Sequence, residues 1–136
     1  MPFVVDASLT LAWCFEDEAG PVADRALQRL ERDRAYVPAI WVPEVANVLL
    51  VGERRGRLTE AQSARFTSLL ADLAIEVEAV DAGRCWGTVL ALARRHALSA
   101  YDASYLELAS RRGLPLATAD ARLRTAAIAA GVPMVE

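Results

Sequence analysis

Apolar and polar positions along the chain switch repeatedly between short strand-like runs and longer stretches with helical spacing. Phe3-Val4-Val5 is an apolar run that delivers Asp6, Ala7 and Ser8 to its end, the pattern of a buried strand leaving a sheet. Leu9 to Phe15 keeps apolar positions at helical spacing until Glu16-Asp17-Glu18 and Gly20-Pro21 break it, and the three acids read as a solvated corner. Val22 to Arg34 predicts an amphipathic helix, with Val22, Ala26, Leu27 and Leu30 on one face. Ala35 to Pro38 is a short strand ended by proline. Trp41 to Val51 is apolar nearly all round and carries Pro43 near its start, so it predicts a helix buried on most sides. Its two polar residues, Glu44 and Asn47, are three apart and share a face. Thr59 to Ala74 predicts a helix opened by a capping box between Thr59 and Gln62. These two helices are expected to pair antiparallel, with their apolar surface as the candidate dimer or partner interface.

The second half continues the alternation. Ile75 to Val80 has period two, Arg84 to His96 is helical, and Leu98 to Ala109 is a helix with Asp102 in its first turn, ended by Gly113. Leu114 to Thr118 reads as a buried strand running into Ala119-Asp120, followed by a helix over Ala121 to Ala130, Gly131 as its stop, and a last strand over Val132 to Val135. Strands alternating with helices predict an α/β fold, three layers α/β/α around a central, mainly parallel sheet, as a single domain over residues 1–136.

Composition narrows the chemistry. The apolar fraction, 54%, is spread through amphipathic segments, no run is long enough to cross a bilayer, and no basic-then-apolar signal opens the chain, so a cytoplasmic protein without membrane attachment is expected. Cys14 and Cys85 lack the spacing of a zinc or redox motif and are expected to pack in a reducing compartment. Net charge is −3, so a polyanion must be met by local arginines or bound cations. All 15 basic residues are arginine. The absence of lysine argues against a P-loop, a Schiff base or a lysine-assisted aspartyl phosphate, and with them against a receiver-type or phosphatase reading.

Four carboxylates stand out by position: Asp6 after the first strand, Glu44 in the apolar helix, Asp102 opening a helix and Asp120 after a strand. Singly, Asp6 and Asp120 read as N-caps, and Asp102 as the partner of Ser99 in a capping box. Jointly they read differently. The strand ends of a parallel sheet share one edge, so Asp6 and Asp120 meet there and a helix starting there brings Asp102. Gathered carboxylates repel and raise one another's pKa, and a divalent cation removes that conflict. Oxygen-only donors without a histidine or cysteine cluster favour Mg²⁺, with Mn²⁺ as the alternative, over zinc. Such a site suits phosphoryl-transfer chemistry, and Ser8 and Thr118 are the expected hydrogen-bond donors beside it. The lone His96 reads as a surface residue near a helix end.

With Val4-Val5-Asp6-Ala7-Ser8, Pro43-Glu44-Val45-Ala46-Asn47-Val48-Leu49, Tyr101-Asp102-Ala103-Ser104-Tyr105-Leu106-Glu107-Leu108-Ala109 and Leu116-Ala117-Thr118-Ala119-Asp120-Ala121-Arg122-Leu123 in this order, the chain resembles the PIN-domain ribonucleases of the VapC toxin type, from Phe3 to about Val135. The resemblance implies a Mg²⁺-dependent endoribonuclease, the hydrolase that serves as toxin of a toxin-antitoxin system, with RNA as substrate, a homodimer, and a cognate antitoxin whose tail covers the site. It also implies that Asp6, Glu44, Asp102 and Asp120 form the acidic metal site, with Asn47 and Thr118 as polar neighbours. The expected reaction is in-line attack of activated water on a phosphodiester, with Asp6, Glu44 and Asp102 holding the main ion and Asp120 holding a second ion or orienting the water. Arg94, Arg95, Arg111, Arg112 and Arg122 are the candidate phosphate contacts, and Trp13, Trp41 and Trp86 either stack bases or pack in a core or interface. The rival reading is a non-catalytic α/β interaction module whose carboxylates merely cap helices.

Overall fold

The structure, a computed structural model, describes residues 1–136. Four parallel strands, β1 (Phe3–Val5), β2 (Ala35–Pro38), β3 (Ile75–Glu78) and β4 (Leu116–Ala117), form one sheet in the order β3-β2-β1-β4. Between β1 and β2 run α1 (Ala7–Ala12), a 3-10 turn at Glu16–Glu18 and α2 (Pro21–Arg29); between β2 and β3 run α3 (Trp41–Arg54) and α4 (Glu60–Asp72). From β3 the chain passes through α5 (Ala82–Arg84), a π turn at Cys85–Val89, α6 (Leu90–His96) and α7 (Ala100–Arg112) to β4, and α8 (Ala121–Ala129) follows. The walk along the sheet goes one way from β1 to β3 and then returns to the other side of β1. Right-handed crossovers therefore place the first set of helices on one face and α7 and α8 on the other, which makes the three-layer α/β/α architecture. All three residues of β1 are fully buried, as a central strand covered on both faces requires.

Local chemistry sets many of the boundaries. Asp6 caps α1 by accepting from Leu9 N–H at 2.9 Å, and Thr59 and Gln62 make both hydrogen bonds of a capping box at α4. Ser99 caps α7 through Asp102 N–H at 3.0 Å, and Gly113 ends that helix at φ 64°. The expected last strand is reduced to one bridge, Leu116 to Met134. Pro133 cannot donate to a ladder, and only its carbonyl, taken by Leu116 N–H, takes part.

Helix α3 departs from its expected all-round burial. Trp41, Val45, Leu49 and Gly52 face the core, whereas Val42, Val48 and Leu50 are exposed. Its buried face is tied to α1 by Thr10, which is fully buried, donates to Asp6 O at 2.8 Å and accepts from Trp41 Nε1 at 3.0 Å. One hydroxyl thus joins the exit of β1 to the start of the helix carrying Glu44. Replacing Thr10 by the isosteric valine removes the only acceptor of a buried indole N–H. T10V is expected to lower unfolding stability by about 1–3 kcal/mol in urea titrations.

Candidate functional site

Strand order places the site. The carboxyl ends of β1 and β4 are neighbours at the point where the direction of winding reverses, the position at which open α/β sheets bind ligands. Asp6 leaves β1 there, and Thr118 and Asp120 leave β4 one strand away. Asp102 enters from the first turn of α7 and Glu44 from the first turn of α3. All four carboxylates line one open cleft of about 640 Å³, together with Ser8, Asn47 and Tyr105.

Asp6 is the most enclosed of the four, at 3% exposure. Ser8 Oγ lies 2.8 Å from both of its oxygens, Thr118 Oγ1 donates to Oδ2, and Leu9 N–H completes the set. Ser8 and Thr118 are themselves fixed, since Ala119 N–H donates to Ser8 Oγ at 3.1 Å and Asp120 N–H to Thr118 Oγ1 at 3.0 Å. Burial pushes the Asp6 carboxyl up to about 6 against the pull of its donors, and the charge of Asp102 adds to the rise. Asp102 is itself pushed up by burial and then by Asp120, with Ser99 and Arg122 opposing.

Glu44 is half-buried, less enclosed than an all-apolar helix implied. Burial pushes its carboxyl up, Tyr105 pulls it down and Asp102 raises it further. Its protein partner is the Tyr105 hydroxyl, which donates to Oε1 at 2.6 Å. Asn47 is exposed at the rim and hydrogen-bonds to none of the acids. Asp120 caps α8 by accepting from Arg122 N–H at 2.8 Å while lining the cleft. Capping and cleft lining therefore coexist at Asp6 and at Asp120.

Two lining residues escaped the sequence reading. Tyr105 looks like core in a pattern of apolar positions; its spacing of three from Asp102, one helical turn on the same face, was the available signal. Glu18 lines the cleft from the 3-10 turn while the acidic corner stays exposed as expected, and Arg57 pairs with Asp17 at 2.9 Å and with Glu18 at 3.7 Å. The basic and aromatic candidates also separate. Arg111 and Arg112 are engaged by Glu78, Arg111 by Glu107 as well, and Arg112 stacks on Tyr36, whereas Arg94, Arg95 and Arg122 form no ion pair. Trp13 and Trp41 spend their indole N–H on Ala23 O and Thr10 Oγ1; Trp86 is 78% exposed.

The donor chemistry fits a hard divalent cation. Every candidate ligand is oxygen, the acids are partly desolvated, and no arginine is paired with Asp6, Glu44, Asp102 or Asp120. No three acidic, histidine or cysteine side chains stand close enough together to enclose an ion unaided.

The chain matches the PIN-domain family over residues 3–129. It is 31% identical over 123 residues to Ribonuclease VapC3 of Pyrobaculum aerophilum, covering 90% of this chain and 92% of that protein. In structure it is similar to VapC20 of Mycobacterium tuberculosis, described as a sarcin-ricin loop cleaving toxin, with a TM-score of 0.68 and 17% identity over 91% of this chain and 94% of that one. It is also similar to a chain of a toxin-antitoxin complex from Klebsiella pneumoniae, with a TM-score of 0.58 and 18% identity over 84% and 82% of the two chains. These structural likenesses speak for the fold.

The shifted Asp6 carboxyl makes a pH prediction. Its folded value, about 6, lies above the unfolded one, so the native state holds the extra proton and the carboxyl costs stability as pH rises through that window. In EDTA, the unfolding free energy of wild type relative to Asp6→Asn is expected to fall by roughly 3 kcal/mol between about pH 4 and pH 7, and to stay level above that. Urea titrations of both proteins across this range provide the check.

Proposed function

The chain belongs to the PIN-domain family, in its VapC branch, and from that premise we propose that it is a Mg²⁺-dependent endoribonuclease acting as the toxin of a toxin-antitoxin pair. One observation carries the proposal: four carboxylates from four separate elements converge on one cleft at the sheet's switch point, with burial and mutual repulsion raising three of them and no basic residue paired to any. Glu44 and Asp102 cap no helix, and Asp6 and Asp120 line the cleft while capping theirs, so capping alone does not account for the four.

In this reading Asp6, Glu44 and Asp102 hold the cation and Asp120 holds a second ion or orients the attacking water. A bound Mg²⁺ would supply an activated water and neutralise the phosphate, so no histidine base is required, in keeping with His96 lying outside the cleft. Ser8 and Thr118 keep Asp6 fixed and its carboxylate oxygens oriented. RNA must approach a chain of net charge −3. The unpaired Arg94, Arg95 and Arg122, of which Arg122 is near enough to influence Asp102, are the residues best suited to receive backbone phosphates.

The partners follow from the same reading. A cognate antitoxin would cover the cleft. A homodimer is supported by the apolar side chains that α3 and α4 leave in solvent, Val42, Val48, Leu50 and Leu69. No helix is long and apolar enough to cross a membrane.

Purified protein is expected to cut structured RNA internally in Mg²⁺, to stop in EDTA, and to lose at least 100-fold in rate on Asp6→Asn or Glu44→Gln. Absence of metal-dependent cleavage on any RNA would favour the interaction module. Expression is expected to arrest growth, and Asp6→Asn to relieve the arrest; equal arrest by the variant would sink the catalytic version.

A further inference from the structure

Resting on the reading of the cleft as a cation-dependent nuclease site, we propose that Tyr105 is the positioning residue that sets the Glu44 carboxylate for the cation. Glu44 is the outlier among the four acids. Asp6 and Asp120 are short side chains fixed by their own helix caps, and Asp102 sits one turn from Ser99. Glu44 has a longer stem with more rotatable bonds, on a helix whose neighbouring positions Val42, Pro43, Ala46 and Asn47 are exposed. No cap, backbone N–H or arginine holds its carboxylate. Tyr105 Oη, at 2.6 Å from Oε1, is the protein group that does.

The tyrosine is built for that task. Its residue is 1% exposed, so the ring is packed in the core, and it lines the cleft in which its hydroxyl meets Glu44. It is three residues from Asp102 on α7, so one rigid helix supplies one acid directly and aims a second from 61 positions away. The choice of donor matters as much as its place. A guanidinium at this spot would orient Glu44 equally well but would neutralise it and compete with a cation. A phenol orients the carboxylate and leaves its charge available. With Oε1 engaged and no hydrogen bond to Oε2, the second oxygen is the one free to face an ion.

The test is Mn²⁺ binding by the full chain, read from the electron paramagnetic resonance of free Mn²⁺, with unfolding in EDTA as a fold control. Tyr105→Phe keeps the ring and removes the donor; it is expected to weaken Mn²⁺ binding about 10–100-fold. Added to Glu44→Gln, the same change is expected to cost nothing further, because the group it positions is gone. Glu44→Asp, which withdraws the carboxylate from Oη while leaving the core intact, is expected to weaken binding similarly and to be insensitive to Tyr105→Phe. Wild-type affinity in Tyr105→Phe, or an equal loss in the Glu44→Gln background, overturns the positioning role and leaves the nuclease reading standing. If wild type binds no Mn²⁺ and Asp6→Asn changes nothing, the nuclease reading falls and the role of Tyr105 falls with it.

Discussion

Like charges brought together at one edge of a sheet are the constraint around which this molecule is arranged. Asp6 is nearly closed off from water and meets no basic partner, yet three donors from the exits of two neighbouring strands are engaged by it. Each donor stabilises the anion without cancelling it. The outcome is a carboxyl poised near neutrality, next to Asp102, which feels Asp120 in turn. A protein optimised only for stability would replace such a group by an apolar one, since desolvating an unpaired acid costs more than its hydrogen bonds return. Retention of that cost at the switch point is in keeping with the proposed cation site.

Much of the supporting structure serves to hold this edge rigid. Thr10 links the end of β1 to Trp41 and so to the helix carrying Glu44, and Tyr105 links that same glutamate to α7. The four acids come from four elements: the carboxylates of Asp6 and Asp120 are engaged at their own helix caps, and that of Glu44 by Tyr105 from another element. A displacement of α3 against α1 would be felt at Glu44 through the indole of Trp41, well away from the carboxylate itself.

Sequence alone carried the reader far at positions where local chemistry decides. The run Phe3 to Val5 ending on Asp6, the box of Thr59 and Gln62, and the glycine stop at Gly113 all act within a few residues, and all three stand as expected. The meeting of Asp6, Asp102 and Asp120 was also legible, because parallel sheets put strand ends on one edge, whereas Glu44 was joined to them only by the family resemblance. What stayed hidden was tertiary. Helix α3 has the composition of a buried helix, but three of its large apolar residues, Val42, Val48 and Leu50, face solvent, a choice no periodicity reveals. Tyr105 is indistinguishable from core by pattern, and its function lies in one hydroxyl contact across 61 residues. Arg111 and Arg112 resembled free cations until the fold brought Glu78 to them.

The contact between Thr118 and Asp6 joins residues 112 positions apart, and β4, which lies beside the first strand, is among the last elements of the chain. During synthesis Asp6 emerges well before its neighbours Thr118 and Asp120. Until then no segment can close the edge of β1 from that side, and the acids remain scattered along an unfinished sheet. Order of emergence thus sets an order of assembly: the surroundings of Asp6 are completed only by a residue 112 positions later.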